Sequence, residues 1–162
     1  MICLDNSEFM RNGDFIPTRI ASQKEAASIV CSEKIHANPE NTVGVLAMAG
    51  KEGIEVLVSP TEDIGKVLAA FSRVHIGGKL DFSSAVQIAQ LALKHRKNKN
   101  GGQRIIAFVG SPIMDDINHL KKIGKQLKKN NVAVDVVSMG ENEENHEKLI
   151  EFINATNSND NW

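Results

Sequence analysis

The residues best suited to chemistry follow the first apolar run of the chain. Met1–Leu4 is followed directly by Asp5, and Ser7 comes two positions later. A carboxylate and a hydroxyl are hard oxygen ligands of the kind that Mg²⁺ takes. The same carboxylate could instead accept hydrogen bonds from backbone N–H groups and hydroxyls, which would fix the loop without a metal. The spacing of these residues leaves both interpretations open.

The Asp-x-Ser pattern resembles the start of the metal-ion-dependent adhesion site of von Willebrand factor A domains. That site takes a second Ser from the same loop, a Thr from a second loop and an Asp from a third. Here Phe9 stands where the second Ser is expected, and Lys79 or Leu80 lies near the expected Thr. The third loop reads Gly-Ser-Pro, with Ser111 at its centre. Mg²⁺ demands near-octahedral oxygen coordination, which a Phe and a Lys oppose. We therefore predict no metal site and no cofactor, only the degenerate remnants Asp5 and Ser7.

Strand-like and helix-like segments alternate along the chain, and these elements must position the loops. Several β-branched runs are almost continuously apolar, which is typical of parallel strands covered on both faces. The short link 49–53 permits a hairpin and excludes a crossover helix, so the strand after it is predicted to be antiparallel and at an edge. Strands are predicted at Met1–Leu4, Thr42–Met48, Ile54–Val58, Arg104–Val109 and Val132–Val137, and helices at Pro17–Lys34, Thr61–Phe71, Phe82–His95, Asp115–Asn130 and Glu143–Ala155.

This order predicts an α/β fold: a doubly wound, mostly parallel sheet with one antiparallel edge strand and helices on both faces. Apolar residues occur on nearly every side of the helix at 82–95, which predicts that this helix is largely buried. A length of 162 residues fits one domain, predicted to span 1–155, with a polar tail at 156–162. In such sheets, ligands and partners meet the loops at the carboxyl ends of the strands.

Long stretches of the sequence resemble one particular family. The first loop, Asp5–Phe15, and five further segments are similar to the N-terminal von Willebrand factor A domains of the ubiquitin-receptor subunits of the 26S proteasome regulatory particle. The five segments are Asn38–Gly44, Gly78–Leu80, Ile88–Arg96, Arg104–Pro112 and Leu127–Asp135. The resemblance covers nearly the whole chain. The family has a few residues before Met1, and it continues after this domain into acidic, helical ubiquitin-interacting motifs, of which this sequence contains none.

The resemblance implies a Rossmann-like von Willebrand factor A fold and a docking or scaffold role rather than an enzyme. Such a domain would anchor a ubiquitin receptor in the regulatory particle and support lid–base association in ubiquitin-dependent protein degradation. Its partners would be other subunits of the lid and the base, in the cytoplasm and the nucleus. Polyubiquitin would bind only through the C-terminal region that this sequence lacks.

Because loops held on a rigid sheet carry function, the partner contacts are expected on the loops at the strand ends. Asp14 and Arg19 could form an ion pair at a helix start or contact a partner, and the sequence does not separate the two. The candidate residues for partner binding are Asp5, Asn6, Ser7, Arg11, Asn12, Asp14, Arg19, Lys79, Asp81 and Ser111.

Two other classes of function are alternatives to docking. One is a divalent-metal-assisted ligand-binding domain of the adhesion type. The other is a small-molecule α/β enzyme, which would have to use the carboxylates of Asp5, Asp81 and Asp115. The sequence offers no catalytic motif for an enzyme: the five histidines have no metal-ligand spacing, and there is no Gly-x-Ser-x-Gly or Walker motif.

Composition argues against nucleic-acid and membrane partners. The formal net charge is -1, and the chain has no Tyr and one Trp, so it lacks the basic surface and stacking aromatics of nucleic-acid binders. No apolar run reaches the ~18 residues of a membrane span. The charge is divided, because residues 94–129 carry ten Lys and Arg against two Asp, whereas 135–162 carry seven acids against one Lys. Near-neutrality therefore excludes a uniformly basic protein but leaves a polarised docking surface open.

Overall fold

The computed structural model describes residues 1–50, 52–140 and 143–156. It contains five strands and five α-helices in these ranges, with a short 3₁₀ turn, Glu8–Arg11, after the first strand. The strands are β1 (Ile2–Leu4), β2 (Val43–Ala47), β3 (Glu55–Thr61), β4 (Gln103–Val109) and β5 (Val132–Ser138). The helices are α1 (Arg19–Ala37), α2 (Ile64–Ser72), α3 (Phe82–Lys94), α4 (Ile117–Lys129) and α5 (Glu143–Thr156).

The strands form one sheet in the order β3-β2-β1-β4-β5. Every neighbouring pair is parallel except β2–β3, which is antiparallel. One apolar cluster lies between the sheet and α3, α4 and α5, and a second lies between the opposite face and α1 and α2. The predicted fold class, including the antiparallel edge strand, is confirmed.

Three element boundaries differ from the prediction for local reasons. β3 runs through Pro60, which an edge strand tolerates because Pro60 lies where the pairing with β2 shifts register, between Val58 and Thr61. α2 begins after Asp63, whose carboxylate caps the Lys66 N–H. α1 begins at Arg19 after the cap residue Thr18, so Pro17 lies outside the helix.

The outer face of α3 corrects one expectation. Leu91 is 54% exposed, so the helix is buried on one side rather than nearly all the way round. At the other end of the chain, α5 continues to Thr156, a buried residue whose hydroxyl donates to the Phe152 carbonyl at 2.8 Å. The rest of the predicted tail, 157–162, lies outside the described residues.

The basic and acidic segments of the sequence meet in the fold. α4 and α5 pack against each other, and Lys121 forms an ion pair with Glu151 at 2.7 Å. The opposite charges of these two helices are therefore partly neutralised by contact. Within the described ranges, no helix combines the length and apolar character needed to cross a membrane.

Candidate functional site

Asp5 lies at the carboxyl end of β1 and is completely buried. Its Oδ1 accepts the Ser7 N–H at 2.9 Å, and its Oδ2 accepts the Gly110 N–H at 2.9 Å and the Ser111 hydroxyl at 2.5 Å. Because β1 and β4 are neighbours in the sheet, residues more than 100 positions apart meet here. One carboxylate therefore joins the loops that follow β1 and β4, and three donors compensate for its burial.

The backbone of Asp5 is clamped by a buried glutamine. The Asp5 N–H donates to Gln23 Oε1 at 2.9 Å, and Gln23 Nε2 donates to the Asp5 carbonyl at 2.8 Å. Gln23 lies on α1, so this pair of hydrogen bonds fixes the strand end to the first helix. A buried Gln in an otherwise ordinary helical stretch gave no signal in the sequence, and its role was missed.

Asn6 connects the carboxyl end of β1 to segments on the β2 side of the strand, away from β4. Its Oδ1 accepts the Ala49 N–H at 2.7 Å, and its Nδ2 donates to the His75 carbonyl at 2.9 Å. Its own carbonyl accepts the Gly77 N–H at 2.8 Å. Asn6 is therefore a buried structural residue that joins the loop after β2 to the loop before α3.

Arg19 links a third pair of loops. Its guanidinium makes a two-point contact with Asp14 at 2.7 and 2.6 Å, and its Nη1 donates to the Gly110 carbonyl at 2.5 Å. It also lies so close to Gly140 that a Cβ there would be 2.5 Å from Nη2. Gly140 has φ +85, which favours glycine as well. The hydrogen bond from Arg19 is the main cause that lowers the pKa of Asp14 and raises that of Arg19.

The turn after β4 is held by a residue that sequence reasoning missed. Asn145 on α5 is buried; its Oδ1 accepts the Ile113 N–H at 2.8 Å and its Nδ2 donates to the Ser111 carbonyl at 2.7 Å. Lys148, one turn further along, donates to the Ile113 carbonyl at 2.7 Å. Asn145 lies within an acidic helical stretch, where nothing in the pattern distinguishes it from a solvent-facing residue.

The side chains of the remaining predicted residues do not join this network. Asp81 caps α3 by accepting the Ser84 N–H at 3.1 Å, and Lys79 is exposed two positions before it. Arg11 is exposed and forms an ion pair with Glu8 at 2.7 Å. Asn12 contributes only backbone: its carbonyl accepts the Arg19 N–H at 2.9 Å.

The donor set at Asp5 does not fit a magnesium site. Both carboxylate oxygens already accept protein hydrogen bonds, and the side chain of Phe9 is 57% exposed instead of supplying an oxygen. Ser7 Oγ is buried and has no hydrogen-bond partner among the described residues, but it is one oxygen where an octahedral shell needs several. Across the described ranges, no group of three His, Cys, Asp or Glu side chains is arranged to hold a metal.

Two of the three carboxylates considered for an enzyme, Asp5 and Asp81, are likewise in structural roles. Asp5 is bonded to backbone and hydroxyl donors, and Asp81 caps a helix. Burial raises the pKa of the Cys3 thiol to about 12, which keeps it protonated and unreactive. A cleft of about 570 Å³ lies at the opposite end of the sheet, beside Met1 and Gln103, and does not adjoin Asp5.

Comparison with known proteins identifies the family. The family model of the von Willebrand factor type A domain matches residues 1–112 of this chain. Over 161 residues the chain is 54% identical to the 26S proteasome non-ATPase regulatory subunit 4 homolog of Oryza sativa subsp. japonica, covering 99% of this chain and 40% of that protein. It is 49% identical over 158 residues to the 26S proteasome regulatory subunit RPN10 of Saccharomyces cerevisiae, covering 98% of this chain and 59% of that protein. The chain thus spans 40% and 59% of the length of these two relatives.

Solved structures agree with this result. The SpRpn10 VWA domain superposes with a TM-score of 0.91 at 47% identity, covering 99% of this chain and 82% of that one. BatB from Bacteroides thetaiotaomicron, at 16% identity, a TM-score of 0.77 and coverage of 96% and 84%, shares the fold alone. The relatives are named as regulatory and non-ATPase subunits, which is a non-catalytic class. The chain therefore belongs to the von Willebrand factor type A domain family, in the group formed by the 26S proteasome regulatory subunit 4 and RPN10 proteins.

Proposed function

We propose that the chain is a docking domain that anchors a ubiquitin receptor in the 26S proteasome regulatory particle and supports association of lid and base in ubiquitin-dependent protein degradation. The observation that carries this proposal is 54% identity over nearly the whole chain to a proteasome regulatory subunit. Its partners are other subunits of the lid and the base, in the cytoplasm and the nucleus. Polyubiquitin is captured by regions of the receptor outside the matched domain.

The loops after β1 and β4 supply a surface suited to docking. Phe9 is 57% exposed, Ile16 91% and Met114 81%, and all three lie on loops that follow neighbouring strands. Isolated exposed apolar residues are ordinary, but several on adjoining loops support an interface that removes them from water. We infer that these three side chains are the apolar anchors of the docking surface.

The buried network beneath these loops supports the same conclusion. Asp5 joins the loops that carry Phe9 and Met114, and Arg19 bonds both Asp14 in the first loop and the Gly110 carbonyl in the second. Loops that are already ordered lose less conformational entropy when a partner binds. In this account Asp5 acts by positioning the loops, since its own carboxylate is buried and cannot touch a partner.

Reconstitution of the regulatory particle tests the proposal. Particles purified from cells lacking the endogenous subunit are incubated with the chain, and the bound fraction is measured after gel filtration. The triple variant Phe9→Glu, Ile16→Glu and Met114→Glu is expected to lose at least about tenfold in retention, because it buries carboxylates in an apolar interface.

A matched control uses exposed apolar residues elsewhere on the molecule. Ile29 on α1 is 59% exposed and Leu91 on α3 is 54% exposed, so Ile29→Glu with Leu91→Glu adds acids away from the loops. This control is expected to bind like the wild type. Equal retention of the triple variant and the wild type would contradict the docking surface, and failure of the wild type itself to bind would contradict the proposed function.

A further inference from the structure

Helix α4 carries positive charge that the fold leaves largely unpaired. Its sequence, Ile-Asn-His-Leu-Lys-Lys-Ile-Gly-Lys-Gln-Leu-Lys-Lys, contains five lysines and no acid. Lys121 forms an ion pair with Glu151 of α5. Lys122, Lys125 and Lys129 are exposed, and none of them forms an ion pair with any residue that the structure describes. The charge of this helix is therefore only partly neutralised within the chain.

The three exposed lysines Lys122, Lys125 and Lys129 share one side of the helix, which we call the lysine face. Their spacings of three and four residues align them along the helix axis. The lysine face points away from the sheet, because the apolar side of α4 packs on the sheet between α3 and α5. Helices within the described ranges therefore border the lysine face on both sides. The residues of the apolar side are Leu120, Ile123 and Leu127.

The helix dipole explains only part of this pattern. Cations are favourable in the last turn of a helix, where Lys128 and Lys129 lie. Lys122 and Lys125 lie before that turn, and Lys125 is four residues from both Lys121 and Lys129. Like charges at this spacing repel each other and destabilise a helix. Acidic groups bound at the lysine face would remove this repulsion.

The end of the neighbouring helix α3 adds to the same charge. Lys94 is the last residue of α3, Lys97 follows in the next loop, and both are exposed. Arg96 orders this loop, because its Nη2 donates to two carbonyls of the loop at 3.0 and 2.9 Å. Gln103, just beyond the loop, donates from Nε2 to the Asn130 carbonyl at 3.2 Å, directly after α4. The basic ends of α3 and α4 are thus held beside each other.

Charge complementarity indicates an acidic occupant for this surface. The acids closest in sequence, Asp115 and Asp116, lie at the opposite end of α4. The exposed side chains of α4 are all polar and include no Phe, Tyr or Trp. The lysine face therefore lacks the apolar residues that insert into a membrane and the aromatic rings on which bases stack. Carboxylates need neither, since they pair with lysine as point charges.

We propose that the lysine face, together with Lys94 and Lys97, docks a short acidic segment of a partner protein. From Lys122 to Lys129 the helix rises about 10.5 Å, which an extended chain covers with about four residues. A run of four Asp or Glu therefore matches the length of the face. The ion pairs form at a solvated surface, so the binding is weak and sensitive to salt. The site lies toward the end of α4 opposite the loops after β1 and β4, and it goes beyond the docking function proposed for them.

Nuclear magnetic resonance with a defined probe tests this site. The 162-residue chain, labelled with ¹³C at the lysine Cε atoms, is titrated with the peptide acetyl-Gly-Asp-Glu-Asp-Glu-Gly-amide. The largest shifts are expected at Lys122, Lys125 and Lys129. A peptide with Asn and Gln in place of Asp and Glu is expected to bind at least about tenfold more weakly. Raising the salt from about 0.05 M to about 0.15 M is expected to weaken binding of the acidic peptide at least about twofold.

Variants with the same net charge separate a local site from a general effect of charge. Lys122→Glu with Lys125→Glu is expected to weaken peptide binding at least about tenfold. The control Lys34→Glu with Lys66→Glu makes the same change of charge at exposed positions on α1 and α2, on the opposite face of the sheet. It is expected to bind within about twofold of the wild type. Lys122→Arg with Lys125→Arg keeps both charges and should retain the affinity, and thermal unfolding checks that every variant is folded.

The proposal would be overturned by an absence of shifts at millimolar peptide in low salt, or by shifts centred on lysines outside α4 and the end of α3. Equal weakening in the control variant would reduce the effect to net charge and would also overturn it. Tighter binding of single-stranded RNA or of phosphatidylserine vesicles through the same lysines would identify another class of occupant and contradict an acidic peptide. None of these results bears on the loop surface, so the reconstitution result stands or fails separately.

Discussion

The carboxyl edge of the sheet contains two groups of polar residues that are built differently. Around β1 and β4, the side chains of Asp5, Ser111 and Asn145 join segments far apart in sequence. Around the start of α3, the Asp81 carboxylate caps its own helix, its backbone N–H donates to the Met48 carbonyl at 3.2 Å, and Lys79 is exposed. Asp5, Ser111, Asp81 and Lys79 were equal candidates in the sequence. The difference shows that neighbouring parallel strands concentrate long-range side-chain contacts where their ends meet, and that the polar side chains at the start of α3 stay local.

The largest effect on stability is expected from Asp5→Ala. The change leaves the N–H groups of Ser7 and Gly110 and the Ser111 hydroxyl without an acceptor in a buried site, which costs about 3 kcal/mol of unfolding free energy. Urea denaturation measures this cost, and the variant is expected to remain folded in water. Asp14→Ala removes a carboxylate from a partly exposed ion pair and serves as the control, with a smaller expected loss. A smaller loss for Asp5→Ala than for Asp14→Ala would contradict the account.

Asn145→Ala is expected to have the next largest effect. It removes two buried hydrogen bonds that hold the turn at Ser111 and Ile113, at a cost of about 2 kcal/mol. Asn154→Ala, an exposed position on the same helix, is the control and should be nearly neutral in the same denaturation experiment. If both variants unfolded at the wild-type midpoint, the assigned role of Asn145 would be wrong.

The residues outside the network should matter less for stability. Asp81→Ala loses one helix cap, which costs about 1 kcal/mol. Lys79→Ala is expected to change the unfolding free energy by less than about 0.5 kcal/mol, because its side chain is exposed. A cost for Asp81→Ala equal to that of Asp5→Ala would remove the distinction between the two groups.

The smallest effect concerns pH. Hydrogen bonding to Arg19 lowers the pKa of Asp14 below its ordinary value of 3.8, so the folded state favours the carboxylate. The resulting stability is present above pH 3.8 and is lost as the pH falls through the lowered pKa. Nuclear magnetic resonance of the Asp14 carboxyl carbon should give a pKa below 3.8, and Arg19→Gln should return it toward 3.8. An unchanged titration in Arg19→Gln would show that the pair does not form in solution.

The fold could be predicted because its signals are local. Near-continuous apolar runs indicate parallel strands, and the short link 49–53 requires a hairpin. The site could be predicted only in part. Asp5, Ser111 and Arg19 were identified at strand or helix ends, whereas Gln23 and Asn145 act from helices at positions where polar side chains are ordinary. Their roles arise from packing against strands elsewhere in the chain, and helical periodicity carries no information about such contacts.

Hydrogen exchange at the Gly110 amide, measured in EDTA, tests most directly the claim that Asp5 holds the loops without a metal. The account predicts that this amide is protected like those of the core, that Mg²⁺ adds no protection, and that Asp5→Ala removes the protection while β5 amides keep theirs. The account would be contradicted if the Gly110 amide exchanged rapidly in EDTA and slowly only after Mg²⁺ was added, and if Mg²⁺ had no such effect in Asp5→Ala.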